Sequence, residues 1–185
     1  MRKIKLLKRK ECTVLTWQGW ILILAVLFFF FTGFLKFIPG FLSVNKPITG
    51  NILVLDGMMP DFSIKEAIHV FDTGNYDLIV VTGGKIQTGY FIGGYQTMAE
   101  VTAASFLQMG FNNEKIVAIP GGEYKRDRTY NSAVSLKQWI KGNNINVKKI
   151  DVLAVGSHAR RSRFLFARAM DKEYEVGIIS VKDPA

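Results

Sequence analysis

No charged residue occurs between Cys12 and Leu35, a run of 24 residues whose heart is Trp20-Ile-Leu-Ile-Leu-Ala-Val-Leu-Phe-Phe-Phe-Phe31. About 20 mostly apolar residues suffice for a helix to cross the hydrocarbon core. A helix also pairs its backbone groups internally, as lipid requires. Trp17 and Trp20 fall where aromatic side chains favour the interface, and Lys36 closes the far end of the run. A cleaved signal peptide has a shorter apolar core and a small-residue cleavage site, which Phe-Leu-Lys-Phe-Ile-Pro does not resemble. The sequence therefore predicts an uncleaved transmembrane helix over residues 12–35, with the lipid membrane as its partner.

Charge sharpens this reading. The net charge is +9, but residues 1–11 hold six basic side chains and one acid, whereas from Asn51 onward there are 16 basic and 14 acidic residues. The excess is a basic flank rather than a nucleic-acid footprint, so no nucleic-acid partner is expected. A positive flank ahead of the helix predicts a single-pass inner-membrane protein, its N-terminus cytoplasmic and its domain extracytoplasmic. Cys12 is the one cysteine. It excludes an internal disulfide, and it suits either S-acylation or a small apolar role. Residues 36–50 contain Pro39, Gly40, Pro47 and Gly50 and read as a linker.

Residues 51–185 read as one domain. Apolar runs at Ile52–Leu55, Leu78–Val81, Ile116–Ile119, Ile150–Val155 and Val176–Val181 predict five strands. Helical periods separate them. One opens on a capping box at Ser63–Glu66, one on Thr97–Glu100, and two more cover about 129–141 and 160–170. Apolar strands alternating with helices predict an α/β fold with a mainly parallel sheet buried on both faces.

Ligands of such sheets bind beyond the carboxyl ends of the strands. Those ends carry Asp56-Gly57, Thr82-Gly83-Gly84, Pro120-Gly121-Gly122 and Gly156-Ser157-His158. Glycines there admit an anion to backbone N–H groups, although turns need glycine for their own reasons. Arg128 and Arg161 stand near helix starts, where a cation opposes the helix dipole unless an anion is bound. His158 is placed for proton transfer or a turn cap. Glu100 serves either as a catalytic acid or as the third residue of its capping box. His69 lies off its helix's apolar stripe and reads as surface. Two histidines and no domain cysteine make a zinc site unexpected. The sequence specifies no cofactor.

The segments Val54–Gly57, Val81–Gly84, Glu100, Arg128–Ala133 and Gly156–Arg161 together resemble the YdcF-like family of SanA- and ElyC-type proteins, over about residues 51–183. That family shows a Ser-Gly-Gly turn, a Glu-Ala pair, an Asn-Thr-x-x-Asn segment and a His-x-x-Arg motif. Here Thr82 replaces the serine, Val101 follows Glu100, and Arg128 replaces the first asparagine. The resemblance implies a Rossmann-like three-layer sandwich and a role in envelope biogenesis. It also implies a polar site of Thr82, Gly83, Gly84, Glu100, Thr129, Asn131, His158 and Arg161. With Asp56, Gly57, Arg128 and Ser157 added from the strand ends, the expected ligand is a phosphorylated small molecule or a lipid-linked substrate. His158 and Glu100 are the candidate catalytic pair. A non-catalytic envelope module and a nucleotide or S-adenosylmethionine binder are the alternatives.

Overall fold

Every second residue of the strands faces the same way, and in this chain both faces are apolar. The computed structural model describes residues 14–57, 59–87, 93–123 and 126–184. The basic flank, Cys12, Lys125 and Ala185 lie outside the described residues. The chain divides between Ile38 and Pro39 into an N-terminal unit and an α/β unit.

The N-terminal helix α1 (Trp17–Leu42) has 26 residues, and none of them is buried by protein. Its length of about 39 Å exceeds the hydrocarbon thickness of about 30 Å. Its mean hydropathy reaches 2.6 over the most apolar stretch. It is thus long and apolar enough to cross a membrane. Thr32 satisfies its hydroxyl inside the helix by donating to the carbonyls of Phe28 and Phe29, each at 3.0 Å. The helix does not stop at Lys36, as the charge pattern suggested. It continues through Pro39 to Leu42, because a proline this near the end removes one backbone bond without breaking the preceding turns.

The α/β unit carries a five-stranded, all-parallel sheet in the order β3-β2-β1-β4-β5. The strands are β1 (Ile52–Asp56), β2 (Leu78–Gly83), β3 (Ile116–Pro120), β4 (Lys149–Val155) and β5 (Glu175–Val181). The helices are α2 (Asp61–Thr73), α3 (Met98–Gln108), α4 (Arg128–Gly142) and α5 (His158–Met170). Ile52, Val54, Val80, Ile150 and Val152 face α4 and α5, packing on Leu136, Ile140, Phe166 and Met170. The intervening Leu53, Leu55, Ile79, Val81 and Leu153 face α2 and α3, packing on Ile64, Phe71 and Phe106. This period-two division makes the sandwich three-layered and Rossmann-like. Truncating Phe106 or Phe166 to alanine would cost about 3–5 kcal/mol.

Two local expectations change. Helix α2 starts at Asp61 after an N-cap at Pro60. The Ser63 hydroxyl donates back to the Pro60 carbonyl at 2.7 Å, so Ser63 is no cap. Residues 43–50 are no loose linker either. Lys46 bridges Ile178 antiparallel to β5, and the Ile48 and Gly50 amides donate to Asp151, both at 2.9 Å. His69 is exposed, as its position off the apolar stripe suggested.

Candidate site at the strand-order reversal

Connections leave β1 toward one edge of the sheet and β4 toward the other. Between two such strands a crevice opens beyond their carboxyl ends. Asp56-Gly57 forms one lip of this crevice, and Gly156-Ser157-His158 forms the other.

Asp56 is the last residue of β1, in register with Thr82 of β2. The Thr82 hydroxyl is buried and donates to the Leu55 carbonyl at 3.1 Å, with the Asp56 carboxylate 3.4 Å away. The first turn of α4 brings Thr129 and Ser132 near the same carboxyl group, with Arg128 within electrostatic reach. Burial raises the Asp56 pKa above the ordinary value of 3.8, and it outweighs the opposing pull of Ser132, Thr129, Thr82 and Arg128. An acid held this way passes a proton at milder pH than a solvated aspartate does.

Gly57 follows with φ +80°, a left-handed conformation natural to glycine. Its N–H donates to the Thr82 carbonyl at 2.7 Å, and its own carbonyl accepts from Thr102 at 3.1 Å. Gly83 answers a different need. A Cβ there would sit 2.7 Å from the Ala99 amide nitrogen, so glycine lets β2 meet the start of α3. The Gly83 and Gly84 carbonyls accept from Gly121 and Met98. Packing therefore accounts for these two glycines without a ligand.

Five expected residues are turned to other work or stand apart. Glu100 completes the capping box of α3. Its carboxylate accepts from the Gln96 and Thr97 amides at 2.6 and 3.0 Å, while its amide donates to the Thr97 hydroxyl at 3.3 Å. Asn131 donates its side-chain amide to the carbonyls of Arg126 and Asp127 at 3.4 and 3.1 Å. It thereby braces Asp127, which holds φ +53° at the start of α4. His158 is exposed at the first turn of α5 and makes no hydrogen bond among the described residues. Ser157 and Arg161 beside it are also exposed.

Ser132 was missed. It is buried and faces Asp56. The signal was helical phase: Thr129 and Ser132 are three residues apart and share a face, whereas Asn131 is two from Thr129 and does not.

The helix starts also differ. That of α3 is closed by its own side chains, whereas α4 and α5 have no side-chain cap and carry Arg128 and His158 as first residues. Neither start has a side-chain acceptor for its first amides, although in α5 the Ala159 amide donates to the Gly156 carbonyl at 3.2 Å. The cluster thus offers hydroxyls, a carboxyl group with a raised pKa and flanking cations, a set suited to a polar, anionic ligand. Among the described residues no three His, Cys, Asp or Glu gather as a metal-binding group. Comparison with protein-family models and with curated proteins finds no match to this chain.

Proposed function

We propose that this chain is a membrane-anchored, YdcF-like envelope protein that binds or processes a phosphorylated substrate in the crevice beside Asp56, lipid-linked phosphates being the first class to test. The observation that carries the reading is the gathering of Arg128, Thr129 and Ser132, from one turn of α4, around Asp56 where the strand order reverses. In this reading Arg128 and the uncapped helix starts hold the phosphate, and Asp56 or His158 moves the proton.

Calorimetric titration of the full chain in nanodiscs with a polyprenyl phosphate, its parent alcohol and a nucleotide tests the proposal. Saturable binding of the phosphate alone is expected, weakened at least about tenfold by Arg128→Ala, the loss of one charge-assisted contact. Equal binding of alcohol and phosphate overturns it, and preference for the nucleotide moves the substrate class. A reporter fused after the domain tests the extracytoplasmic placement, which a cytoplasmic signal refutes.

A second reading, a non-catalytic regulatory module, draws on the engagement of Glu100 in its cap and the lack, among the described residues, of an orienting partner for His158. It predicts that His158→Ala and Asp56→Asn leave cellular function intact while Arg128→Ala abolishes it.

A further inference from the structure

On the outer face of α5, Arg160 contacts Phe41, whereas Arg161, Phe164 and Arg168 make no side-chain bond among the described residues. Ala159, Ser162, Phe166, Ala169 and Met170 are buried, and they lie on one side of the helix. At 100° per residue, Arg160, Arg161, Phe164 and Arg168 fall together on the opposite side, and all four are exposed. Phe164 keeps 63% of its surface in solvent. The helix contains no acidic residue. None of its arginines joins an ion pair among the described residues. Three cations around one exposed aromatic ring make a poor solvated face but a good complement to anionic headgroups.

The position of this face favours a membrane over other polyanions. Arg160 donates its Nε to the Phe41 carbonyl at 2.7 Å, and its guanidinium lies 3.9 Å from the Phe41 ring. Phe41 is three residues beyond Ile38, where the apolar unit ends. From there the chain passes Ile178 at Lys46 and reaches Lys149 at Asn51, descending the sheet from its carboxyl end to its amino end. The α/β unit therefore begins beside the first turn of α5, at the end of the sheet that carries the crevice.

We propose that Arg160, Arg161, Phe164 and Arg168 dock α5 on anionic phospholipid headgroups, seating the crevice at the lipid surface. This rests on the anchoring reading above. The test uses the full chain with Cys12→Ser, carrying an environment-sensitive dye at Ala167→Cys on this face or at Glu66→Cys on α2, in nanodiscs containing brominated lipid. With phosphatidylglycerol present, the position-167 dye should be quenched and the position-66 dye should not. Neutralising Arg161 and Arg168 to glutamine, which leaves the Phe41 contact intact, should lower the docked-to-undocked ratio about fivefold per arginine. Phe164→Ser should lower it independently. Quenching that is equal at both positions, indifferent to lipid charge or unchanged by the arginine variants overturns the proposal. A chain that stays in the disc with a silent dye refutes docking alone. A chain that does not stay with lipid refutes the anchor and this proposal together.

Discussion

Two aspartates stand at opposite ends of the same sheet and live under opposite rules. Asp151, near the start of β4, is fully buried and accepts from the Ile48 and Gly50 amides and the Tyr76 hydroxyl, the last at 3.0 Å. A Cβ at Gly177 would collide with its carboxylate, so even the neighbouring strand is shaped around it. Asp56, at the carboxyl end of β1, has one long contact to Thr82 and nearby hydroxyls that do not offset its desolvation. The amino end is sealed by its own chain, whereas at the carboxyl end the desolvation of Asp56 is not offset by its neighbours. In a parallel sheet this division of labour is expected, because structural and binding demands separate by end.

The largest effect should come from breaking the sealed end. Asp151→Ala strands two backbone donors and a half-buried phenol. At about 1–3 kcal/mol for each unsatisfied group, the loss should be about 3 kcal/mol or more, read as a lower urea midpoint. Phosphate affinity in the molecules that remain folded should not change. Tyr76→Phe removes one donor together with its acceptor bond and should cost about 1 kcal/mol. If the two variants cost the same, Asp151 is not the hub of the amino end.

Next is the pH response of the open end. The folded-state pKa of Asp56 is raised. The folded protein therefore holds this proton at pH values where the unfolded chain has released it. The associated stability is complete below the unfolded pKa of about 3.9 and is lost as pH rises through the folded pKa. Within that window the slope is at most about 1.4 kcal/mol per pH unit. Asp56→Asn, which does not titrate, should flatten this part of the stability–pH curve. A curve identical to that of the parent would place the titration elsewhere.

These two ends were not equally legible in the sequence. Strand cores, and with them the parallel sheet, follow from apolar runs such as Leu78–Val81, because burial on both faces leaves no other pattern. Asp56 was legible because an acid closing an apolar strand must point into the crevice or a turn. The sealed end was not legible: Asp151 looks like an interruption of β4, and only the tertiary path of residues 46–50 explains it. On α4, chain order alone offers Asn131 as the polar neighbour of Thr129, whereas helical phase puts Ser132 on the Thr129 face. Likewise Lys36 looked like the end of α1, since composition registers a charge but not whether its long side chain reaches polar surroundings from within a helix.

Glu100 gives a smaller effect with a sharp sign. In a capping box glutamine replaces glutamate, so Glu100→Gln should leave stability nearly unchanged. Thr97→Ala should cost about 1 kcal/mol. A catalytic acid would behave otherwise: Glu100→Gln would abolish function at unchanged stability. Complementation by the glutamine variant, beside its melting curve, separates the two roles.

The smallest expected effect on stability belongs to His158. It is exposed and makes no hydrogen bond among the described residues, so His158→Ala should shift unfolding by less than about 0.5 kcal/mol. Its value lies in that neutrality. Any loss of phosphate binding or cellular function in this variant can be assigned to the crevice and not to the fold. Rescue of phosphate binding by His158→Lys, which restores a cation at this position, would identify His158 as an anion donor. Failure of that rescue would assign it a neutral role, as hydrogen-bond donor or proton carrier, across the crevice from Asp56.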